Sequence, residues 1–125
     1  MIFGIGSDIV AIDRMRKLLE KYGDAFAKRI LASDEWPAYQ VSANRANLLA
    51  KRFAAKEAFA KALGTGLRHP VSLQNICIVH NDLGKPGFSL NPLLAKLLEE
   101  QGIKKHHLSL SDEKEMACAF VILEQ

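Results

Sequence analysis

The chain has no apolar run approaching the roughly 18–20 residues that a membrane-spanning helix requires, so no such helix is expected. Cysteine is scarce. Cys77 and Cys118 form no CxxC pair, and both lie in strand-like apolar runs (Ile76-Cys77-Ile78 and Ala117-Cys118-Ala119). A small buried hydrophobe in a reducing compartment is the expectation for each. An excess of one charge is also missing: 17 Lys and Arg stand against 14 Asp and Glu, a net +3 that is too slight to mark a nucleic-acid protein. Aromatic residues are few (one Trp, two Tyr, six Phe) and fall mostly at core-like positions, which argues against a basic module that stacks on an anionic polymer. Repeats, linkers and biased segments are absent.

What is present is 49% hydrophobic and 25% charged over 125 residues, the size and proportions of one ordinary globular domain spanning 1–125. The first residues, Met1-Ile2-Phe3-Gly4-Ile5-Gly6, carry no basic n-region, and Asp8 interrupts the apolar stretch too early for a secretory h-region. The chain is therefore expected in the cytoplasm.

Met1 to Ser7 is expected as a strand, with Gly4 and Gly6 on one face, where paired glycines mark close approach by another backbone or a ligand. Helices are expected at about 12–21, closed by Gly23, and at 24–31, with Ser33 capping a further turn. The longest helical pattern runs from Arg45 to Leu63. It places Leu49, Phe53, Ala60 and Leu63 inward, and Gly64 stops it. Strands at 74–80 and 87–90 flank the turn Asn81-Asp82-Leu83-Gly84-Lys85-Pro86. Asn91-Pro92 opens a helix ending near Gly102, and 107–111 and 117–123 form a closing hairpin whose last strand is central. This irregular order predicts an α+β fold, a mainly antiparallel sheet packed against the long helix.

Two segments carry candidate chemistry. Gly4-x-Gly6 begins like a dinucleotide fingerprint but lacks the third glycine, so a Rossmann reading is rejected. Asp8 just past that strand either projects a carboxylate from rigid backbone or caps the next turn. In the long helix, Arg52 and Lys56 share a face, as do Glu57 and Lys61. The helix ends in Gly64-Thr65-Gly66, where N–H groups and a hydroxyl can turn toward an anion. One carboxylate beside several cations suits a divalent cation and phosphates, although such pairs are equally the pattern of a solvated helix face. The glycines follow the helix, so this is no P-loop.

The stretches Gly4-Ile5-Gly6-Ser7-Asp8-Ile9-Val10-Ala11-Ile12-Asp13-Arg14 and Phe53-Ala54-Ala55-Lys56-Glu57-Ala58-Phe59-Ala60-Lys61-Ala62-Leu63-Gly64-Thr65-Gly66 resemble the holo-acyl-carrier-protein synthases. These are the small bacterial 4′-phosphopantetheinyl transferases. Leu83-Gly84-Lys85-Pro86 and His107-Leu108-Ser109-Leu110-Ser111-Asp112-Glu113 extend the likeness over essentially the whole chain. The resemblance implies Mg²⁺-dependent transfer of the phosphopantetheine arm of coenzyme A to a serine of apo-acyl carrier protein in fatty acid biosynthesis, with release of adenosine 3′,5′-bisphosphate. The alternative is the same chemistry on a carrier domain of a larger synthase. It further implies Asp8 and Glu57 as metal-binding acids, Lys61 over the diphosphate, Arg52 and Lys56 as coenzyme A phosphate contacts, and Gly64, Thr65 and Gly66 as a nucleotide loop. It implies a homotrimer with each active site between neighbours, and carrier-protein docking by the basic first helices through Arg14, Lys21, Lys28 and Arg29. Asp112 departs from the pattern, since many relatives carry His there.

Overall fold

The computed structural model describes residues 1–125. In chain order it comprises β1 (Ile2–Ala11), α1 (Ile12–Tyr22), α2 (Asp24–Ile30), a 3₁₀ turn (Ser33–Glu35), α3 (Trp36–Val41) and α4 (Arg45–Leu63). It continues through β2 (Ile76–His80), β3 (Pro86–Leu90), α5 (Pro92–Glu100), β4 (Lys105–Asp112) and β5 (Met116–Glu124). The strands form two antiparallel sheets, β1-β5-β4 and β2-β3, and α4 packs across them. This is the expected α+β arrangement, with the C-terminal strand central in the larger sheet.

Strand alternation divides that sheet into two faces. Val10, Ala117, Ala119, Val121 and Leu123 are buried against α4, whereas Ile5, Ile9, Cys118 and Phe120 stay exposed on the outer face. α4 is closed at both ends, at Gly64 as its sequence suggests and at Asn44 by a cap that the sequence reading did not name. The Asn44 carboxamide oxygen accepts from the Asn47 N–H, and Gly64 takes the left-handed conformation at φ 83°. The helix supplies Leu49, Ala54, Ala58 and Phe59 to the core, all fully buried.

The two strand glycines determine how closely α4 lies on β1. A Cβ on Gly4 would stand 1.9 Å from the Ala62 carbonyl oxygen, and one on Gly6 2.0 Å from that of Ala58. Two residues along a strand and four along a helix cover nearly the same distance, roughly 6–7 Å, so the strand and helix stay in step. Asp8 is the next residue on the same strand face, pointing at α4.

Three expectations need correction. β1 does not end at Ser7. It pairs with β5 as far as Ala11↔Met116, so Asp8 lies within the strand. Neither cysteine is buried. Cys118 is exposed and Cys77 half-buried, because each takes the odd position between two buried neighbours. An apolar run on both parities concealed that alternation. The third correction is α3, which the sequence pattern did not suggest although Pro37 near its start is a helix-opening signal.

Candidate functional site

Asp8 and Lys61 meet where β1 crosses α4. The Lys61 ammonium donates to Asp8 Oδ1 at 3.1 Å and to the Ser7 carbonyl oxygen at 3.0 Å. Asp8 makes no bond to the turn after β1, so the capping alternative is not realised. Glu57 lies one helical turn before Lys61. Burial raises its carboxyl above the usual range, the Asp8 charge raises it further, and Lys61 and Arg14 oppose the shift. Two carboxylates that repel each other beside cations form a donor set suited to a hard divalent ion, which takes oxygen ligands and retains water. Asp8 and Glu57 are the two carboxylates here that could hold such an ion.

Arg14, on α1, joins this neighbourhood: its guanidinium sits 5.8 Å from the Phe53 ring centroid and bears on Glu57. Lys21 lies 5.1 Å over Tyr22, and Lys28 5.3 Å over Trp36, each a cation held on an aromatic face. Arg29 borders a groove with Leu18, Tyr22, Ala25 and Phe26. All four cations are exposed.

Arg52 and Lys56 occupy a different face of α4, turned into the protein. Lys56 is 0% exposed, and its ammonium donates to the Ile30 carbonyl oxygen at 2.7 Å and to the Glu35 carboxylate. Burial pushes its pKa down, and Glu35 opposes that. Lys56 thus has no access to a coenzyme A phosphate, and that expectation is corrected: the residue balances a buried carboxylate. Arg52 is 8% exposed and bonds Glu35 Oε2 at 2.8 Å and the Ile78 carbonyl oxygen at 3.1 Å, both through Nη1. It also lines a cavity of about 560 Å³ with Lys51, His80, Gly84, Pro86 and Asp112.

Asp112 is tied down in that cavity. It accepts from Asn47 Nδ2 at 3.0 Å and pairs with Lys51 at 3.9 Å. Sequence reasoning singled out neither Asn47, Lys51 nor His80. The Leu83-Gly84-Lys85-Pro86 turn was the available signal, since Gly84 and Pro86 also line the cavity. At the far end of α4 the glycine loop is exposed. The Gly64 N–H is already used, bonding the Ala60 and Lys61 carbonyl oxygens, and the Thr65 hydroxyl donates to Gly66. Gly64 and Thr65 border a second cavity with Arg68 and His69.

A metal-suited carboxylate pair, a lysine poised over it and cationic cavities on one long helix are the equipment of a phosphate-handling transferase. The sequence model of the 4′-phosphopantetheinyl transferase superfamily matches residues 4–121, and the chain belongs to that family. Among its relatives, the chain is similar to the holo-[acyl-carrier-protein] synthase of Nitrosospira multiformis, with 58% identity over 125 residues and all of both chains covered. It is similar also to the crystal structure of the holo-[acyl-carrier-protein] synthase of Neisseria meningitidis (54% identity, TM-score 0.97, all of both chains). A third match is the Bacillus anthracis holo-(acyl-carrier-protein) synthase in complex with CoA (3′,5′-ADP), at 37% identity and TM-score 0.81, covering 98% of this chain and 96% of that one. No helix is long and apolar enough to cross a membrane.

Proposed function

We propose that this chain transfers the 4′-phosphopantetheine group of coenzyme A to a serine of apo-acyl carrier protein in the cytoplasm, as a step serving fatty acid biosynthesis. The serine oxygen bonds to the phosphorus that carries the pantetheine arm. The bond from that phosphorus to the bridging oxygen breaks, and adenosine 3′,5′-bisphosphate leaves with the electron pair. The serine proton passes to water beside Asp8, or through that water to Asp8. Phosphoryl chemistry of this kind asks the protein for positioning and charge stabilisation rather than covalent work.

Asp8 and Glu57 would hold Mg²⁺, which when bound screens the diphosphate charge. Lys61, already between Asp8 and the Ser7 carbonyl, offers its ammonium to the leaving diphosphate. Arg52, Gly64, Thr65 and Gly66 face phosphate or nucleotide, with the hydroxyl and cation rather than the Gly64 N–H making the contacts. Arg14, Lys21, Lys28 and Arg29 present positive charge to an acidic carrier protein, which raises the encounter rate. Three copies meet over the exposed Ile5, Ile9 and Phe120 of the outer sheet face, setting the Arg52 cavity of one copy toward the carboxylates of its neighbour.

The observation that supports this most is the Asp8–Lys61 pair beside a half-buried Glu57, built by the strand glycines. Incubation with coenzyme A, Mg²⁺ and apo-acyl carrier protein should release adenosine 3′,5′-bisphosphate in step with carrier loading. Loading of an excised synthase carrier domain in place of the discrete protein would move the reading to that acceptor. Loading of neither would reject it.

A further inference from the structure

We infer that Glu35 is a positioning residue, whose buried carboxylate aims Arg52 into the cavity bordered by β2. The inference rests on the proposed function for the identity of the ligand, but not for the clamp itself. Glu35 is 1% exposed, yet it lies 17 residues from Arg52, on the 3₁₀ turn rather than on α4. Its two oxygens take four donors. Oε1 accepts from the Ala32 N–H at 2.8 Å and from Lys56, and Oε2 accepts from Arg52 Nη1 at 2.8 Å and from the Ile78 N–H at 3.4 Å. One anion thus ties together the end of α2, α4 and β2.

The cluster carries one negative and two positive charges, an excess that burial disfavours unless it has a use. Lys56 spends its charge inside, on Glu35 and the Ile30 carbonyl. Arg52 does not. Only Nη1 bonds the protein, and no buried polar atom lacks a partner, so the remaining guanidinium nitrogens touch the cavity. Held on one edge by Glu35 and Ile78, the planar guanidinium presents its other edge in a fixed orientation, as bidentate capture of a phosphate needs. Lys51 and His80 line the same cavity, with Asp112 as the one acid. A mobile arginine would lose rotamer freedom on binding; a clamped one has lost it already.

The test reads Arg52 directly, by the side-chain ¹⁵N–¹H spectrum of isotopically labelled protein, and reads coenzyme A use by steady-state kinetics. In the wild-type protein the Arg52 Nη signals should be resolved by hindered rotation. Averaged signals there would overturn the clamp without any variant. In Glu35→Leu/Lys56→Met, which removes one charge of each sign, those signals should collapse. KM for coenzyme A should rise about tenfold, while kcat stays within about twofold. A folded double variant with wild-type Arg52 signals and unchanged KM would refute the proposal. If that variant does not fold, Glu35→Gln takes its place, since it keeps the size and one acceptor. Released Arg52 signals and a raised KM would then support the clamp, and wild-type signals with unchanged KM would refute it. Arg52 signals that are hindered in the wild-type protein and released in the variant, in a protein that loads no carrier, would leave the clamp standing and remove the functional reading instead.

Discussion

Replacing Gly6 by alanine perturbs the site through the strand–helix spacing alone. The new methyl would lie 2.0 Å from the Ala58 carbonyl oxygen and 2.7 Å from the Ala62 backbone nitrogen. Ordinary contact begins at 3.4 Å, so β1 and α4 must separate by about 1.4 Å, and neither neighbour is a flexible side-chain end that could swing away. Overpacking of this kind costs about 2–3 kcal/mol, or roughly 8–11 °C of melting temperature for a chain of this size. The larger effect falls on chemistry. Asp8, two residues on, moves off Lys61 and Glu57, and a misplacement of about 1 Å costs on the order of 10²-fold in rate. Gly102→Ala is the control: its φ of 76° also strains an alanine, by about 1–2 kcal/mol, but nothing stands closer than 3.7 Å and the site is remote. Thermal melts and initial rates of carrier loading, measured below both midpoints, separate the two. A folded Gly6→Ala protein with the wild-type rate would refute the claim that strand–helix spacing sets the site.

Reversing Arg14 to Glu should raise KM for the acidic carrier protein several-fold, with a weaker salt dependence, and leave coenzyme A binding by calorimetry unchanged; an unchanged KM would remove Arg14 from the docking surface. Stability should fall in mild acid. Burial lowers the His106 pKa below its ordinary 6.5, with the His107 charge adding to this, as the ring packs 5.6 Å from that of Phe88. The unfolded chain then takes up a proton near 6.5 while the folded one stays neutral, so this contribution is complete above 6.5 and is lost as pH falls through the folded value. Urea midpoints at about pH 7.5 and about pH 5.5 should differ less for His106→Phe than for the wild-type protein, and an equal difference would show that His106 has no part. His80, also lowered by burial and by Arg52 and Lys51, adds a slope of the same sign.

Much of this was legible in the sequence because it is local. Gly64 stops α4, and Gly4 and Gly6 announce a close backbone approach before its partner is known. The identity of that partner, and the length of β1, depend on pairing with a strand more than a hundred residues away, so Asp8 was placed outside the strand. Lys56 was misjudged, and the inward anchoring of Arg52 went unseen, for a related reason. Charged residues on a helix normally face water, and nothing adjacent in sequence reveals that Glu35 waits inside to receive them. The alanines around them, Ala54, Ala55 and Ala58, were the hint: α4 is packed closely on more than one side, so its charges could not all be solvated. The cysteines show the opposite limit, where an uninterrupted apolar run left no period to read.

The carboxylate pair is the centre of the account, and intact-mass analysis of apo-acyl carrier protein tests it most directly. Incubated with this protein, coenzyme A and Mg²⁺, the carrier should gain one phosphopantetheine group. The gain should vanish with excess chelator, and with Glu57→Ala in a protein whose melting temperature shows it folded. Undiminished loading by Glu57→Ala, or loading that survives the chelator, would contradict the assignment of Asp8 and Glu57 as the metal site on which the transfer depends.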